Sequence, residues 1–252
     1  MIDTHAHIYD EGLIKDIDIL LTEASKAGVS RIYMPNIDQS SIESLHHLAD
    51  TYPTQCIPMM GLHPCYVKED YQEQLEVIRG QYSDRTYAGV GEVGLDYYWD
   101  TTFVKEQKEA FSEQISWGQT DQLPIIIHSR DSLDDTIGMI ASAQDGSLRG
   151  IFHCFNGTIE QAKKALDTGF HLGLGGVITF KNAKLDDMVK YLPEDRIVLE
   201  TDAPYLTPHP YRGKPNQPKY LNFVAQKISE CKGQDFEEVV KYTTDNAIKL
   251  FG

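Results

Sequence analysis

The chain has 252 residues, 41% of them hydrophobic, and a formal charge of −15. That content is enough for a sizeable core, and the charge argues against extended tracking along duplex DNA, where affinity comes from many Lys and Arg contacts to phosphates. It still allows a small, deep, metal-charged pocket that takes one or two phosphates. No stretch approaches the ~20 consecutive apolar residues that span a bilayer. The first residues show neither the basic nor the apolar region of a secretory signal, so none is expected. Cys56, Cys65, Cys154 and Cys231 are scattered without CxxC spacing, which points to reduced thiols in a cytoplasmic protein.

Short β-rich segments alternate with amphipathic ones along the whole chain. Ile2–His7 reads as a strand, followed by Leu13, Ile17, Leu20, Leu21 and Ala24 at helical spacing, with Gly28 as C-cap. Arg31–Pro35 is the next strand and Ser41–Tyr52 the next helix; Gln55–Leu62 and Tyr71–Tyr82 repeat the pattern. Tyr87–Val93 is the fourth strand and Val104–Thr120 its helix. Pro124–His128 is nearly all apolar, as expected of a parallel strand covered on both faces. Helix Leu133–Ala143, strand Gly150–His153, helix Ile159–Thr168, strand Phe170–Leu174, helix Leu185–Tyr191 and strand Arg196–Thr201 continue the alternation. Two more helices follow, lined by Leu221, Val224, Ala225 and Ile228, and by Phe236, Val239, Val240, Thr243, Ala247 and Leu250.

Strand-then-helix repeats over this length predict an α/β fold, a (β/α)8 TIM barrel forming one domain over residues 1–252, with additional C-terminal helices. A doubly wound open sheet fits less well. No Gly-x-Gly-x-x-Gly follows the first strand, and polar residues recur at too many strand ends.

In such barrels chemistry gathers at the C-terminal ends of the strands. His5 and His7 close the first strand and, two residues apart, share a face. His63 follows the third strand, Glu92 the fourth, His128 the fifth, His153 the sixth and Asp202 the eighth. Singly, each has a bland explanation: Glu92 as a turn residue among glycines, His128 and His153 as core histidines, Asp202 as a cap. Their matching topological positions are hard to explain as packing. His5, His7 and Asp202 are expected to hold one divalent cation and His128 and His153 a second, with Glu92 and a water or hydroxide as bridges. Paired cations about 3.5–4 Å apart lower the pKa of a bound water and stabilise attacking and leaving oxygens. Imidazole-rich ligation leans towards Zn, Mn, Co or Ni, while carboxylate and phosphate partners also allow Mg.

Further candidates surround this set. His63, in Gly61-Leu62-His63-Pro64, either contacts substrate or shapes a turn. Tyr211-Arg212-Gly213-Lys214-Pro215-Asn216 is a basic loop in an acidic chain. Arg212 can grip a phosphate bidentately, Lys214 adds a point charge, and Asn216 joins them as a substrate candidate. His46, His47 and His171 read as surface or packing residues. Cys154 should alternate to the face opposite His153, and so belong to the core.

Ile-Asp-Thr-His-Ala-His, Gly-Leu-His-Pro, Gly-Glu-Val-Gly-Leu-Asp, Pro-Ile-Ile-Ile-His-Ser-Arg, Phe-His-Cys-Phe, Leu-Glu-Thr-Asp-Ala-Pro-Tyr-Leu and Arg-Gly-Lys-Pro-Asn follow one another along nearly the whole chain. In this the sequence resembles TatD-family metal-dependent hydrolases. The resemblance implies a TIM barrel of the amidohydrolase superfamily with divalent-metal-dependent deoxyribonuclease activity; several members are described as 3′–5′ exonucleases on single-stranded DNA. The family's metal ligands fall on His5, His7, Glu92, His128, His153 and Asp202, with Glu200 behind them or on the substrate side.

The expectation is therefore a phosphodiesterase with two divalent cations acting on DNA ends, a monomer or of unspecified assembly, with no membrane partner. Asp202 and Glu92 are its catalytic carboxylates, Asp202 also shuttling a proton. The same site acting on an acyl bond would make an amidase, a lactonase or an aminoacyl-tRNA deacylase, since fold alone does not decide function. A metal-stabilised binding protein is the third possibility. It is disfavoured because six protein ligands on two ions leave the open positions that catalytic sites keep.

Overall fold

Eight parallel strands alternate with helices in the computed structural model, which describes residues 1–252. Strand β1 (Ile2–Asp3) leads through helices α1 (Glu11–Ile14) and α2 (Ile17–Lys26) to β2 (Arg31–Pro35), α3 (Ile42–Thr51) and β3 (Cys56–Met59). Helix α4 (Tyr71–Gly80), β4 (Val90–Asp96), α5 (Val104–Asp121), β5 (Ile125–Arg130) and α6 (Leu133–Ala143) follow. Then come β6 (Gly150–Phe152), α7 (Ile159–Asp167), β7 (His171–Leu174), α8 (Asp186–Tyr191) and β8 (Ile197–Leu199). Helices α9 (Leu221–Lys232) and α10 (Phe236–Phe251) end the chain, and no helix is long and apolar enough to cross a membrane.

The strands pair in two runs, β1 to β3 and β4 to β8. Two seams join them. Between β3 and β4, Met60 pairs with Val90, Met60 N donates to Gly89 O at 3.1 Å, and Gly91 N donates to Met60 O at 3.0 Å. Between β8 and β1, Thr4 N donates to Leu199 O at 2.9 Å and Asp202 N to His5 O at 2.8 Å. The sheet closes into the TIM barrel the sequence predicts, and closure brings residue 202 against residue 5.

Alternation along the strands sorts the barrel into inside and outside. Ile125 and Ile127 pack in the large core between sheet and helices, whereas Ile126 belongs to a second cluster with Ile2, Tyr33, Met59, Ile151 and Val198. Those residues fill the lumen. Ala247 and Leu250 of α10 join them, and Phe251 stacks on Tyr33 at 3.9 Å, so α10 plugs the N-terminal end of the barrel. The same inward parity continues upward from the apolar floor, from Ile126 to His128 and Arg130, from Ile151 to His153, and from Val198 to Glu200 and Asp202.

Three expectations need correction. The single helix predicted over Leu13 to Ala24 is two, broken at Lys15 and Asp16, where Asp16 takes φ −116°, ψ 25° as the residue preceding α2; Asp favours such helix-start positions over helix interiors. Strand β4 runs three residues later than predicted, because its register against β5 shifts between Val90 and Val93. Cys154 does not sit on the opposite face from His153. Strand β6 has ended at Phe152, and Cys154 takes a left-handed φ of 47° that turns it into the wall of the cavity described below.

Candidate metal centre

The mouth of the barrel is a cavity of about 1130 Å³ lined in part by His7, His63, Glu92, His128, His153 and Asp202. His5 lies fully buried behind it. The six residues expected to ligate metal, and His63 with them, meet here.

Glu92 is the hub. Its Oε2 lies 3.1 Å from His5 Nε2 and 3.2 Å from His7 Nε2. Its Oε1 lies 2.9 Å from His128 Nδ1, 3.5 Å from His63 Nε2 and 3.8 Å from His153 Nε2. Asp202 faces the group from the other side, with Oδ1 at 3.8 Å from His5 Nε2 and 3.6 Å from His7 Nε2, and Oδ2 at 4.0 Å from His153 Nε2. His5 and His153 stack with ring centroids 3.5 Å apart.

The tautomer of His7 is forced. Tyr9 gives its only hydroxyl proton to Pro35 O at 2.5 Å, so its oxygen accepts from His7 Nδ1 at 2.9 Å. His7 Nε2 is thereby turned to the centre, 3.1 Å from His5 Nε2. Burial, reinforced by the charge of His153, holds His5 well below its ordinary pKa. Two imidazole nitrogens and a carboxylate oxygen thus converge, a donor set that suits a divalent cation. Three groups of side chains bring potential ligand atoms within 4.8 Å of one another: His5, His7 and Glu92; His5, His153 and Asp202; and His63, Glu92 and His128.

Carboxylates set the charge of the remaining groups. Burial alone would raise Glu92, but His5, His63 and the bond from His128 outweigh it and hold the carboxyl well below its usual range. Burial lifts Asp202 to about 6 against the pull of His153 and His7. For His153 the neighbouring Glu200 overcomes burial and raises the imidazole to about 10. Glu200 Oε1 stands 2.9 Å from His153 Nδ1, an ion-pair contact rather than an aligned hydrogen bond, and accepts from Cys154 N at 2.5 Å. Cys65 and Cys154 also line the cavity, but burial pushes both thiols up, Cys65 to about 12, which makes them poor nucleophiles.

Two glycines make room for this arrangement. A Cβ on Gly94, at φ 141°, would lie 2.0 Å from His128 O, and one on Gly173 would lie 2.2 Å from Glu200 Oε2. Both positions need a residue without a side chain.

A family model described as TatD related DNase matches residues 2–252. The chain belongs to the TatD family. It is a metal-dependent hydrolase of that family, similar at 38% identity, over its whole length and 98% of the relative, to the uncharacterized metal-dependent hydrolase YabD of Bacillus subtilis. The crystal structure of YJJV, a TatD homologue from Escherichia coli, superposes with a TM-score of 0.94 at 28% identity, covering 100% of this chain and 97% of that one. The 3′–5′ ssDNA/RNA exonuclease TatD of Citrobacter rodentium is 28% identical over 100% of this chain and 98% of its own.

Around the cluster of this TatD-family chain, several residues stand elsewhere than the sequence suggests. Asn216 is 0% exposed and gives both amide hydrogens to backbone, to Thr201 O and Tyr205 O, each at 2.7 Å. It staples the segment carrying Asp202 and has no access to substrate. Glu200 is equally buried, 2.9 Å from His153 Nδ1, on the side behind the ligands that the sequence reading allows for it. Arg212 donates to Thr207 O at 3.1 Å and lies flat on Phe180 at 3.9 Å; Phe180 lines the cavity, whereas Arg212 and Lys214 do not. His63 is closer to the centre than a purely peripheral contact, and its Nδ1 accepts from Cys65 N at 3.1 Å. His46 bonds Tyr87, His47 is exposed and His171 is buried on β7, all three apart from the site.

Sequence reasoning passed over Tyr9, Asp96 and Arg130. Asp96 Oδ2 lies 2.9 Å from His128 Nε2, so that ring is held between two carboxylates; these bonds overcome burial and raise its pKa. A signal was present. Tyr9 is two residues past His7, Arg130 two past His128, and Asp96 four past Glu92, all on the parity of their ligand.

Proposed function

We propose that this protein is a phosphodiesterase that uses two divalent cations to remove nucleotides from the ends of single-stranded DNA. The observation that carries this reading is the division of Glu92, one oxygen towards His5 and His7 and the other towards His63, His128 and His153, beside a cavity open to solvent. A carboxylate divided in this way can serve two cations at once. The description of the family model, and the exonuclease name of the Citrobacter relative, support the choice of bond and strand end. The unpaired cysteines favour a reducing compartment, the cytoplasm.

On this reading His5, His7, Glu92 and Asp202 would hold one cation, and Glu92, His128 and His153 the other. Bound divalent cations lower the pKa of water and offset charge that gathers on phosphoryl oxygens. Everything else falls to the chain. Tyr9 and Glu200 fix the rings of His7 and His153. Asp202, lining the cavity, takes a proton from the attacking water and returns it to the departing oxygen. His63 faces the substrate phosphate, and Arg212 keeps positive charge on the Phe180 side. An acidic exterior disfavours tracking along a duplex and suits a strand that feeds one end into the pocket.

Protein loaded with Mg, Mn or Zn should shorten end-labelled single-stranded DNA from the 3′ end faster than a duplex. Asp202→Ala should lower that rate by about 10²–10⁴-fold, the range for a lost general acid–base. If the loaded protein cleaves carboxylic esters or lactones but neither DNA nor a chromogenic phosphodiester, the bond is acyl and this reading is wrong.

A further inference from the structure

Tyr98 and Trp99 follow β4 after one intervening residue and are 54% and 68% exposed, although large aromatic rings are usually buried for most of their surface. They are not loose. The rings meet edge to face with centroids 5.0 Å apart, and the guanidinium of Arg130 lies 3.7 Å from the Tyr98 centroid and 5.1 Å from that of Trp99. Arg79 and Arg85 spend their guanidinium groups on Asp121 and Asp50, whereas that of Arg130 rests on these rings. Trp99 and Arg130 both line the cavity that holds the histidines.

Asp96 ties the ring pair to the centre. Its Oδ1 accepts from Tyr98 N at 2.9 Å and Trp99 N at 3.0 Å, while Oδ2 faces His128 Nε2 at 2.9 Å. Asp96 is also the ladder partner of Arg130, and Tyr97 N donates to Arg130 O at 2.9 Å. The exposed indole is therefore keyed to the strands that carry Glu92 and His128, and not to a free loop.

We propose that Trp99 is a stacking platform for one base of a nucleic-acid strand whose end occupies the cavity, with Arg130, flattened on Tyr98, contacting the strand's backbone phosphate. This rests on the phosphodiesterase reading. Binding of single strands without sequence preference combines cationic contacts to phosphates with aromatic faces for bases. An acidic chain has few cations to offer, so stacking carries a larger share here. A base stacked and paired within a duplex presents no free face to the indole, so the platform also selects unpaired ends.

The test uses tryptophan fluorescence of the metal-loaded protein, titrated with a short, non-hydrolysable phosphorothioate oligodeoxynucleotide. Of the two tryptophans, Trp117 is buried, so quenching reports Trp99. Saturable quenching is expected with bases present and its loss with an abasic strand of the same length. Read by the fluorescence anisotropy of a fluorescein-labelled strand, because the variants lack the reporting indole, Trp99→Ala should weaken binding about tenfold, as base–aromatic stacking does, raise KM for single-stranded DNA more than it lowers kcat, and be rescued largely by Trp99→Phe. The difference between wild type and Trp99→Ala should vanish on the abasic strand. Binding is read without turnover, so the two readings fail separately. A protein that quenches with oligonucleotide yet cleaves no DNA overturns the phosphodiesterase and keeps the platform. A protein that degrades single-stranded DNA while Trp99→Ala matches wild type in Kd and KM overturns the platform.

Discussion

Glu200 Oε1 lies 2.9 Å from His153 Nδ1, while its second oxygen is buried without a hydrogen-bond partner. A buried charge left half-satisfied is costly, and here it is spent on the orientation and charge of one imidazole. Losing such a partner behind a metal-ligating histidine typically costs about 10–100-fold in metal affinity or activity. Glu200→Gln keeps the volume and removes the charge. It should lower metal affinity about tenfold or more, read by metal titration beside the hydrolysis rate. Gly173→Ala should reproduce the defect by pushing the carboxylate aside, since its Cβ would meet Glu200 Oε2 at 2.2 Å. Wild-type metal binding in both variants would remove Glu200 from this role.

His171 makes stability depend on pH at the opposite end of the barrel. It opens β7, is buried, and leaves Nδ1 without a partner. Burial, aided by Arg196, pushes its pKa down to about 4, against about 6.5 in an unfolded chain. Between those values the unfolded state takes up a proton that the native state refuses. Stability therefore rises with pH across this window and is lost as pH falls from about 6.5 to 4. His171→Leu removes that contribution. Urea unfolding should show the variant gaining on wild type by as much as ~3 kcal/mol between about pH 7 and pH 4; a difference that stays flat would show that His171 does not titrate in this way.

Asn216 should behave as a structural residue. Asn216→Ala leaves Thr201 O buried without a donor, a loss of about 1–3 kcal/mol, and also removes the part-buried bond to Tyr205 O. Thermal unfolding should show Tm lowered by about 5–10 °C for a chain of this length. Hydrolysis should fall as well, because the stapled segment carries Asp202. A variant with normal Tm and a raised KM alone would restore Asn216 to the substrate.

Metal removal should separate fold from activity. The main core contains 54 buried residues, which are apolar and do not depend on the histidines, so chelated protein should keep its far-UV circular dichroism. Hydrolysis should cease and Tm should fall, then recover with added cation as ligand linkage requires, about 2.7 kcal/mol at a concentration 100 times Kd. His5→Ala should recover only part of that rise in Tm, because Glu92, His128 and His153 still hold the other cation.

Much of the candidate centre is legible in the chain because strand periodicity is local. His128 and His153 each close an apolar strand, and the rule that residues two apart share a face puts them above Ile126 and Ile151. What was missed depends on departures from that regularity. Asp96 escaped because the register shift in β4 extends the strand past Val93. Cys154 was misplaced because a left-handed backbone ended the alternation. Asn216 looked like a ligand for phosphate because composition alone does not reveal that two backbone carbonyls use up its donors.

The order of strands and helices, the acidic exterior, and the positions at which polar residues interrupt apolar strands were determined by the amino-acid sequence alone. They follow from side-chain chemistry and the geometry of a few neighbouring residues. Only the tertiary structure decided that Asp202 N bonds His5 O, that Glu92 divides its oxygens between two sets of imidazoles, and that Tyr9 engages His7 Nδ1. Those contacts join residues far apart in the chain. They exist because a twisted sheet of eight strands closes on itself, and no local pattern encodes the distances across a closed barrel.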